Sequence, residues 1–140
     1  MLLVRRLLFA LVLTFAGLSQ AWANPMLLVD RATLQVLYAE EAGQPWHPAS
    51  LTKLMTAYVT FEELAKGTVT LDTPVTISRN AYNQAPSKSG LKIDSTVSLK
   101  DALYILVVKS ANDIAVAIAE TVGGSMEEFV TMMNDAAAQL

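Results

Sequence analysis

The chain has 140 residues, of which 53% are hydrophobic, with 10 Lys and Arg against 13 Asp and Glu, one His and no Cys. This length suits a single domain. A net charge of −3 argues against a nucleic-acid-binding protein, which needs a basic face. The lack of Cys and the single His exclude thiol chemistry, disulfides and Cys/His zinc sites. We expect no metal and no cofactor.

Residues 1–23 are predicted to be a signal peptide. An arginine pair near the start precedes the apolar run 7–18, and the tripeptide Ala-Trp-Ala at 21–23 fits the small-x-small cleavage pattern. The apolar run is shorter than the ~20 residues that span a bilayer. We therefore expect cleavage before Asn24 and export to the periplasm or the outer face of a bacterial inner membrane. An uncleaved N-terminal anchor is the alternative.

The mature chain, 24–140, opens with a predicted β-hairpin and a helix. Two short apolar runs at 26–30 and 34–39 flank a three-residue polar linker, as in a hairpin. A helix is predicted from Pro48 to Lys66, followed by a glycine suited to a left-handed helix end. Its apolar residues recur at helical spacing and predict burial on most sides: Leu51, Leu54, Met55, Tyr58, Val59, Phe61, Leu64 and Ala65.

The second half of the chain is predicted to be mainly helical. Residues 68–97 are polar and rich in turn formers, with a short strand expected at 75–77. Capping boxes that begin with serine, at 98–101 and 125–128, open two helices. A third, almost wholly apolar helix is predicted at 112–121, between those two.

The pattern S-x-x-K, which pairs a nucleophile with a base, occurs at Ser50–Lys53 and at Ser89–Lys92. Context favours the first. Three residues turn a helix by about 300°, so Ser50 and Lys53 share a face, and apolar neighbours would disfavour the protonated ammonium. The helix N-terminus adds positive potential near the serine oxygen. A plain helix-start serine with a lysine reaching to water is the alternative. The second pattern is interrupted by Gly90.

The pattern S-x-N occurs at Ser110–Asn112, at the junction of two predicted helices, and also at 78–80. A junction between rigid elements presents side chains outward. There Ser110 is a candidate proton relay, and Asn112 is a candidate to donate to a substrate amide or to hold Lys53. Ordinary capping of the next helix by either residue is the alternative.

Two stretches carry a resemblance to a known family. HPASLTKLMTAY at 47–58 resembles the first active-site motif of the serine D-alanyl-D-alanine carboxypeptidases, the low-molecular-weight penicillin-binding proteins. VKSANDIAVAIAE at 108–120 looks like their second motif. The opening hairpin and the stretch 129–140 are also similar, so the resemblance covers 24–140. It implies an α/β (α+β) fold of the β-lactamase/transpeptidase type, represented here by the N-terminal hairpin of the antiparallel sheet and the helical subdomain.

The resemblance also implies roles for four residues. Ser50 would attack the carbonyl between the two D-alanines of the peptidoglycan pentapeptide, in cell-wall biogenesis, with Lys53 as the proton acceptor. Ser110 would assist proton transfer to the leaving D-alanine, and Asn112 would position the substrate and Lys53. β-Lactam antibiotics would acylate the same serine. Peripheral association with the inner membrane through a C-terminal segment not present here is a further expectation.

One departure from the family concerns its third motif, K-T-G, which this sequence lacks. The similar tripeptide Lys-Ser-Gly at 88–90 precedes the second motif and lies in a predicted loop. We therefore interpret 24–140 as the N-terminal part of a longer enzyme, and we expect this piece alone to be inactive. Two alternatives remain: a class A-like β-lactamase, for which only three glutamates follow Ser110, and a non-catalytic peptidoglycan-binding module.

Overall fold

The computed structural model of the protein describes residues 24–140, and the predicted signal peptide lies outside that range. The described residues divide into two compact units, with the boundary between His47 and Pro48. No helix within 24–140 is long and apolar enough to cross a bilayer. The described elements, in chain order, are β1 (Met26–Val29), β2 (Val36–Glu40), a 3-10 turn (Ala49–Leu51), α1 (Thr52–Lys66), β3 (Pro74–Thr76), α2 (Arg79–Tyr82), β4 (Thr96–Ser98), α3 (Leu99–Lys109), α4 (Asn112–Gly123) and α5 (Met126–Gln139).

The first unit contains the predicted hairpin. Strands β1 and β2 pair antiparallel. The connection is built on Asp30, whose Oδ1 accepts the N–H groups of Ala32 at 3.0 Å and Thr33 at 2.8 Å. This is the turn that a short acidic side chain favours. Leu34 closes the turn with a positive φ of 58°. The prediction of a hairpin is confirmed, and its apolar side chains are exposed.

Helix α1 begins later than the sequence predicts and ends where it predicts. The chain first makes a 3-10 turn at Ala49–Leu51, and α-helical hydrogen bonding starts at Thr52. The helix ends at Gly67, which has a left-handed φ of 77° and donates to the carbonyls of the last turn. A residue without a Cβ adopts this conformation freely, which explains the end of the helix.

The prediction that α1 is buried on most sides is wrong. The buried face holds Thr56, Ala57, Val59, Thr60 and Glu63. The opposite face exposes the large apolar side chains Leu54, Tyr58 and Phe61, and Leu51, just before the helix, is also exposed. The helix packs on α3, α4 and α5, which cover one side only. Hydrophobic content shows which side chains favour burial, whereas the available partners decide which side chains are buried.

The segment between α1 and α3 is more regular than predicted. The short strand near 75–77 is present as β3, and it pairs antiparallel with β4, a strand that the sequence did not indicate. The four-residue helix α2 was also not predicted. Val75 and Ile77 are completely buried against the helices, so this two-stranded sheet is anchored by apolar contacts.

Helix α4 lies at the centre of the second unit and packs against α1, α2, α3, α5 and β3. Both predicted serine caps are present: Ser98 Oγ accepts from the N–H of Asp101, and Ser125 Oγ accepts from the N–H of Glu128. At the end of α4, a Cβ on Gly123 would lie 2.7 Å from the Cβ of Phe129. The close approach of α4 and α5 therefore requires glycine at 123.

Candidate active site

An open groove of about 400 Å³ lies in the second unit, between the start of α1 and the end of α3. Its volume is within the range of small-molecule sites. The groove is lined by two serines, one lysine and mostly apolar residues: Pro48, Ala49, Ser50, Leu51, Lys53, Leu54, Leu106, Val107 and Ser110. Three of the four residues singled out in the sequence therefore lie at one site, although 57 positions separate Lys53 from Ser110.

Ser50 and Lys53 are two of the three polar residues that line this groove, and they contact each other. Lys53 Nζ lies 3.4 Å from Ser50 Oγ, within hydrogen-bonding range. The 3-10 turn and the first turn of α1 bring the two side chains to the same face, as the three-residue spacing predicts. Ser50 is exposed and Lys53 is half-buried. A long contact of this kind is common in unliganded sites, where the catalytic geometry tightens only around the substrate.

The apolar enclosure expected around Lys53 is only partly formed. Leu51 and Leu54 line the groove, but 67% and 62% of their surfaces are exposed. Of the other two apolar neighbours expected around Lys53, Met55 is half-buried and Ala57 is buried. Within residues 48–140 the groove is therefore open on its leucine side, and the predicted desolvation of the ammonium is incomplete there.

Two strained backbone positions lie at the candidate reactive groups, one directly before Ser50 and one at Ser110 itself. Ala49, directly before Ser50, has a φ of 49°, and Ser110 has a φ of 54°. A left-handed backbone is unfavourable for residues with a Cβ, and such strain is concentrated at functional sites. The sequence does not signal either backbone conformation, because glycine is the usual sign of a left-handed turn and neither residue is a glycine.

Ser110 ends α3, and Asn112 begins α4. The N-cap of α4 is Ala111, whose side chain makes no cap hydrogen bond, so neither Ser110 nor Asn112 occupies the capping position. The capping alternative is therefore not what the structure shows. Asn112 Nδ2 instead donates to the carbonyl oxygens of Ala85 and Pro86, at 3.0 and 3.2 Å. Asn112 is not among the groove-lining residues, and its contact with Lys53 or with a substrate stays a prediction.

The second S-x-x-K serine has a different environment. The hydroxyl of Ser89 donates to Oδ2 of the buried Asp113 at 2.7 Å and accepts from the N–H of Leu91 at 3.0 Å. Its neighbour Lys88 lies over the ring of Tyr82, 5.0 Å from the centroid, and donates to the Tyr82 carbonyl. Both side chains of this loop are thus engaged in holding it in place.

Asp113 is a residue that the sequence analysis missed. Only 1% of it is exposed, although an acidic side chain is rarely buried. A signal was available, because Asp113 is an acid in the first turn of an almost wholly apolar helix. No group of three or more potential metal ligands occurs within residues 24–140.

The profile of the D-alanyl-D-alanine carboxypeptidase family, Peptidase_S11, matches residues 14–140. The chain belongs to this family. The curated D-alanyl-D-alanine carboxypeptidase DacF of Bacillus subtilis is 36% identical over 118 residues, covering 84% of this chain and 30% of its own. The enzyme DacD of Escherichia coli K12 is 38% identical over 124 residues, covering 84% of this chain and 32% of its own.

Solved structures give the same result. The D-alanyl-D-alanine carboxypeptidase DacD from Francisella tularensis superposes with a TM-score of 0.78 at 32% identity, over 86% of this chain and 29% of that one. Penicillin-binding protein 5 from Haemophilus influenzae gives 0.77 at 35% identity, over 84% and 35%. The predicted β-lactamase/transpeptidase-type α+β fold is confirmed. The chain spans about a third of the length of these relatives.

Proposed function

We propose that residues 24–140 supply the nucleophile and the base of a serine-type D-Ala-D-Ala carboxypeptidase that acts on peptidoglycan stem peptides. The observation that carries the proposal is the Ser50–Lys53 pair, which shares one groove with Ser110. Family membership and the names of the relatives support it. Because those relatives are about three times as long, the active form is proposed to be a chain of their length that contains 24–140. We call it the full-length chain.

In the proposed acylation step, Ser50 Oγ attacks the carbonyl carbon between the two D-alanines. Lys53 accepts the hydroxyl proton through the 3.4 Å contact. The C–N bond then breaks, and the leaving nitrogen receives a proton through Ser110. The products are a free D-alanine and an ester on Ser50. Water hydrolyses this ester in the second step. A β-lactam would acylate the same serine with its own ring carbonyl, and its leaving nitrogen would stay attached to the acyl group.

Asn112 is proposed to contact the substrate through its amide oxygen. Its Nδ2 donates to two backbone carbonyls, of Ala85 and Pro86, which fixes the orientation of the amide group. The oxygen Oδ1 is then the atom left to accept an N–H from the stem peptide. This differs from the sequence-based expectation that Asn112 donates to a substrate amide.

The test uses the full-length chain, a fluorescent penicillin and the peptide diacetyl-lysyl-D-alanyl-D-alanine. We expect covalent labelling by the penicillin and release of D-alanine from the peptide. Rapid hydrolysis of a chromogenic cephalosporin without D-alanine release would replace this proposal with the β-lactamase. Binding to cell-wall sacculi with neither labelling nor release would replace it with a binding module.

Export is a separate proposal. It rests on the arginine pair, the apolar run 7–18 and the small residues at 21–23. We propose cleavage before Asn24 and action in the periplasm or on the outer face of the inner membrane. The intact mass of the protein recovered from the periplasm checks this. A mass that retains Met1 would support the uncleaved anchor.

A further inference from the structure

Asp113 is the most deeply buried acidic residue in the described part of the chain. Its carboxyl group accepts the N–H of Ser89 at 2.9 and 3.0 Å, the hydroxyl of Ser89 at 2.7 Å and the N–H of Ile114 at 2.9 Å. A buried carboxyl group is costly unless such donors replace water. Three of these four contacts come from one residue of a distant loop, so the arrangement ties that loop to the start of α4.

The loop is bonded on both sides of Ser110. Before it, Lys109 Nζ donates to the carbonyl of Ser89 at 2.9 Å, and Ser87 Oγ donates to the carbonyl of Lys109 at 3.2 Å. After it, the N–H of Asn112 donates to the carbonyl of Ser87 at 2.7 Å. One short segment, 85–89, therefore holds the residues on both sides of the α3–α4 junction through hydrogen bonds.

These hydrogen bonds from the 85–89 segment explain how Ser110 keeps its unfavourable conformation. A serine at φ 54° persists only where the surrounding contacts determine the backbone. The same φ and ψ angles determine where the Ser110 side chain enters the groove that contains Ser50 and Lys53. Loosening the 85–89 segment would move this side chain without removing any reactive group.

We propose that Asp113 is a positioning residue, which holds the 85–89 segment through Ser89 and thereby sets the place of Ser110 in the groove. This inference rests on the proposed function. It assigns to a buried acid, outside the S-x-x-K and S-x-N patterns, the task of keeping the proton relay aligned with the leaving nitrogen.

The leaving group distinguishes this role from general structural support. With the peptide, the C–N bond breaks and the nitrogen needs the proton that Ser110 delivers. With a thioester analogue, in which thiolactate replaces the terminal D-alanine, the C–S bond breaks and a stable thiolate leaves without a proton. A displaced Ser110 therefore slows the peptide reaction selectively, whereas partial unfolding slows both reactions equally.

The experiment measures kcat/KM of the full-length chain for both substrates in wild type, Asp113→Ala and Ser89→Ala. We expect Asp113→Ala to lower the peptide value by about 10- to 100-fold, because a misplacement of about 1 Å costs up to this much. The thioester value should fall by less than about three-fold, since its leaving group needs no aligned proton donor. Ser89→Ala removes one donor to Asp113. It should also lower kcat/KM for the peptide more than for the thioester, but by a smaller factor.

Asp101→Ala is the matched control. Asp101 is also an acid in the first turn of a helix, but it is exposed and contacts only the Ser98 cap. Both kcat/KM values should stay unchanged in this variant. If Asp113→Ala does not fold, Ser89→Ala carries the test alone, because its main-chain donor to Asp113 remains.

A double variant gives an independent readout. If Asp113 acts through Ser110, adding Asp113→Ala to Ser110→Ala should cost little more than Ser110→Ala alone. Additive losses, or equal losses on the peptide and the thioester, would overturn the inference and leave the proposed function intact. A wild-type chain that processes neither substrate and is not labelled by penicillin would overturn the proposed function itself.

Discussion

The second unit contains two serines that each precede a lysine by three positions, Ser50 and Ser89, and their surroundings are opposite. The hydroxyl of Ser50 is exposed in a groove beside its lysine. The hydroxyl of Ser89 donates to a buried carboxyl group and accepts from a backbone N–H. A nucleophile needs a free oxygen and a nearby base, whereas a structural hydroxyl needs partners on both its donor and its acceptor side. The sequence pattern alone does not separate these cases.

The largest expected difference between the two serines is in labelling by penicillin. In the full-length chain, Ser50→Ala should abolish covalent labelling and D-alanine release, because Ser50 has the one hydroxyl within residues 24–140 that contacts Lys53. Ser89→Ala should reach the wild-type level of labelling at long times. Gel fluorescence after incubation with the labelled penicillin measures both. Labelling that persists in Ser50→Ala and disappears in Ser89→Ala would reverse the assignment.

The two lysines should also differ. Lys53→Ala should slow acylation by roughly 10²-fold or more, the usual contribution of a general base. Lys92→Ala, in the second pattern, should change the rate by less than about two-fold, as for other exposed substitutions. Stopped-flow measurement of penicillin acylation compares them, and the thermal midpoints confirm that both variants are folded. Equal rates in the two variants would contradict the role of Lys53.

The effects of the two serine substitutions on the free energy of unfolding should have the opposite order. Ser89→Ala should lower the free energy of unfolding by about 1–3 kcal/mol, because the buried Asp113 loses its hydroxyl donor. Ser50→Ala should change it by less than about 0.5 kcal/mol, since Ser50 is exposed. Urea unfolding of the full-length chain measures both. A larger loss for Ser50→Ala would show that Ser50 is the structural hydroxyl.

Another contact between a hydroxyl and a buried carboxyl group, that of Thr68 with Glu63, extends the comparison to pH. Lys66 and Thr68 donate to the buried Glu63, each at 2.7 Å, and these hydrogen bonds lower the pKa of Glu63 below its ordinary value of 4.5. A lowered pKa in the folded state means that this stabilisation is present above pH 4.5 and is lost as the pH falls through the folded-state pKa.

Glu63→Gln should therefore remove part of the acid sensitivity of the fold. We expect its thermal midpoint to fall less than that of wild type between pH 5 and pH 3. Asp101→Gln, at an exposed acid, provides the control. A wild-type midpoint that falls no more steeply than that of Glu63→Gln would show that the contacts of Glu63 do not stabilise the fold.

The elements with strong local signals were predictable. Asp30 signals the hairpin turn, Ser98 and Ser125 signal two helix starts, and Gly67 signals a helix end, because each acts on backbone groups within a few residues. Strand β4 and helix α2 were not predictable. Thr96–Ser98 is only three residues long, and its pairing with β3, some twenty positions away, stabilises it.

The site was predictable only where its geometry is local. The approach of Ser50 and Lys53 follows from helical periodicity, but the presence of Ser110 in the same groove depends on how α1 and α3 pack. The resemblance to a family supplied that expectation. The contact between Ser89 and Asp113 spans 24 positions, and no periodicity or motif links the two residues.

The left-handed backbone at Ser110 restricts which alcohol can occupy that position. Threonine would bring the same hydroxyl group, with a similar pKa and similar hydrogen bonds. Its branched Cβ, however, makes a φ of 54° a severe outlier, whereas serine tolerates this angle at moderate cost. The choice between two chemically equivalent side chains is thus made by the main chain.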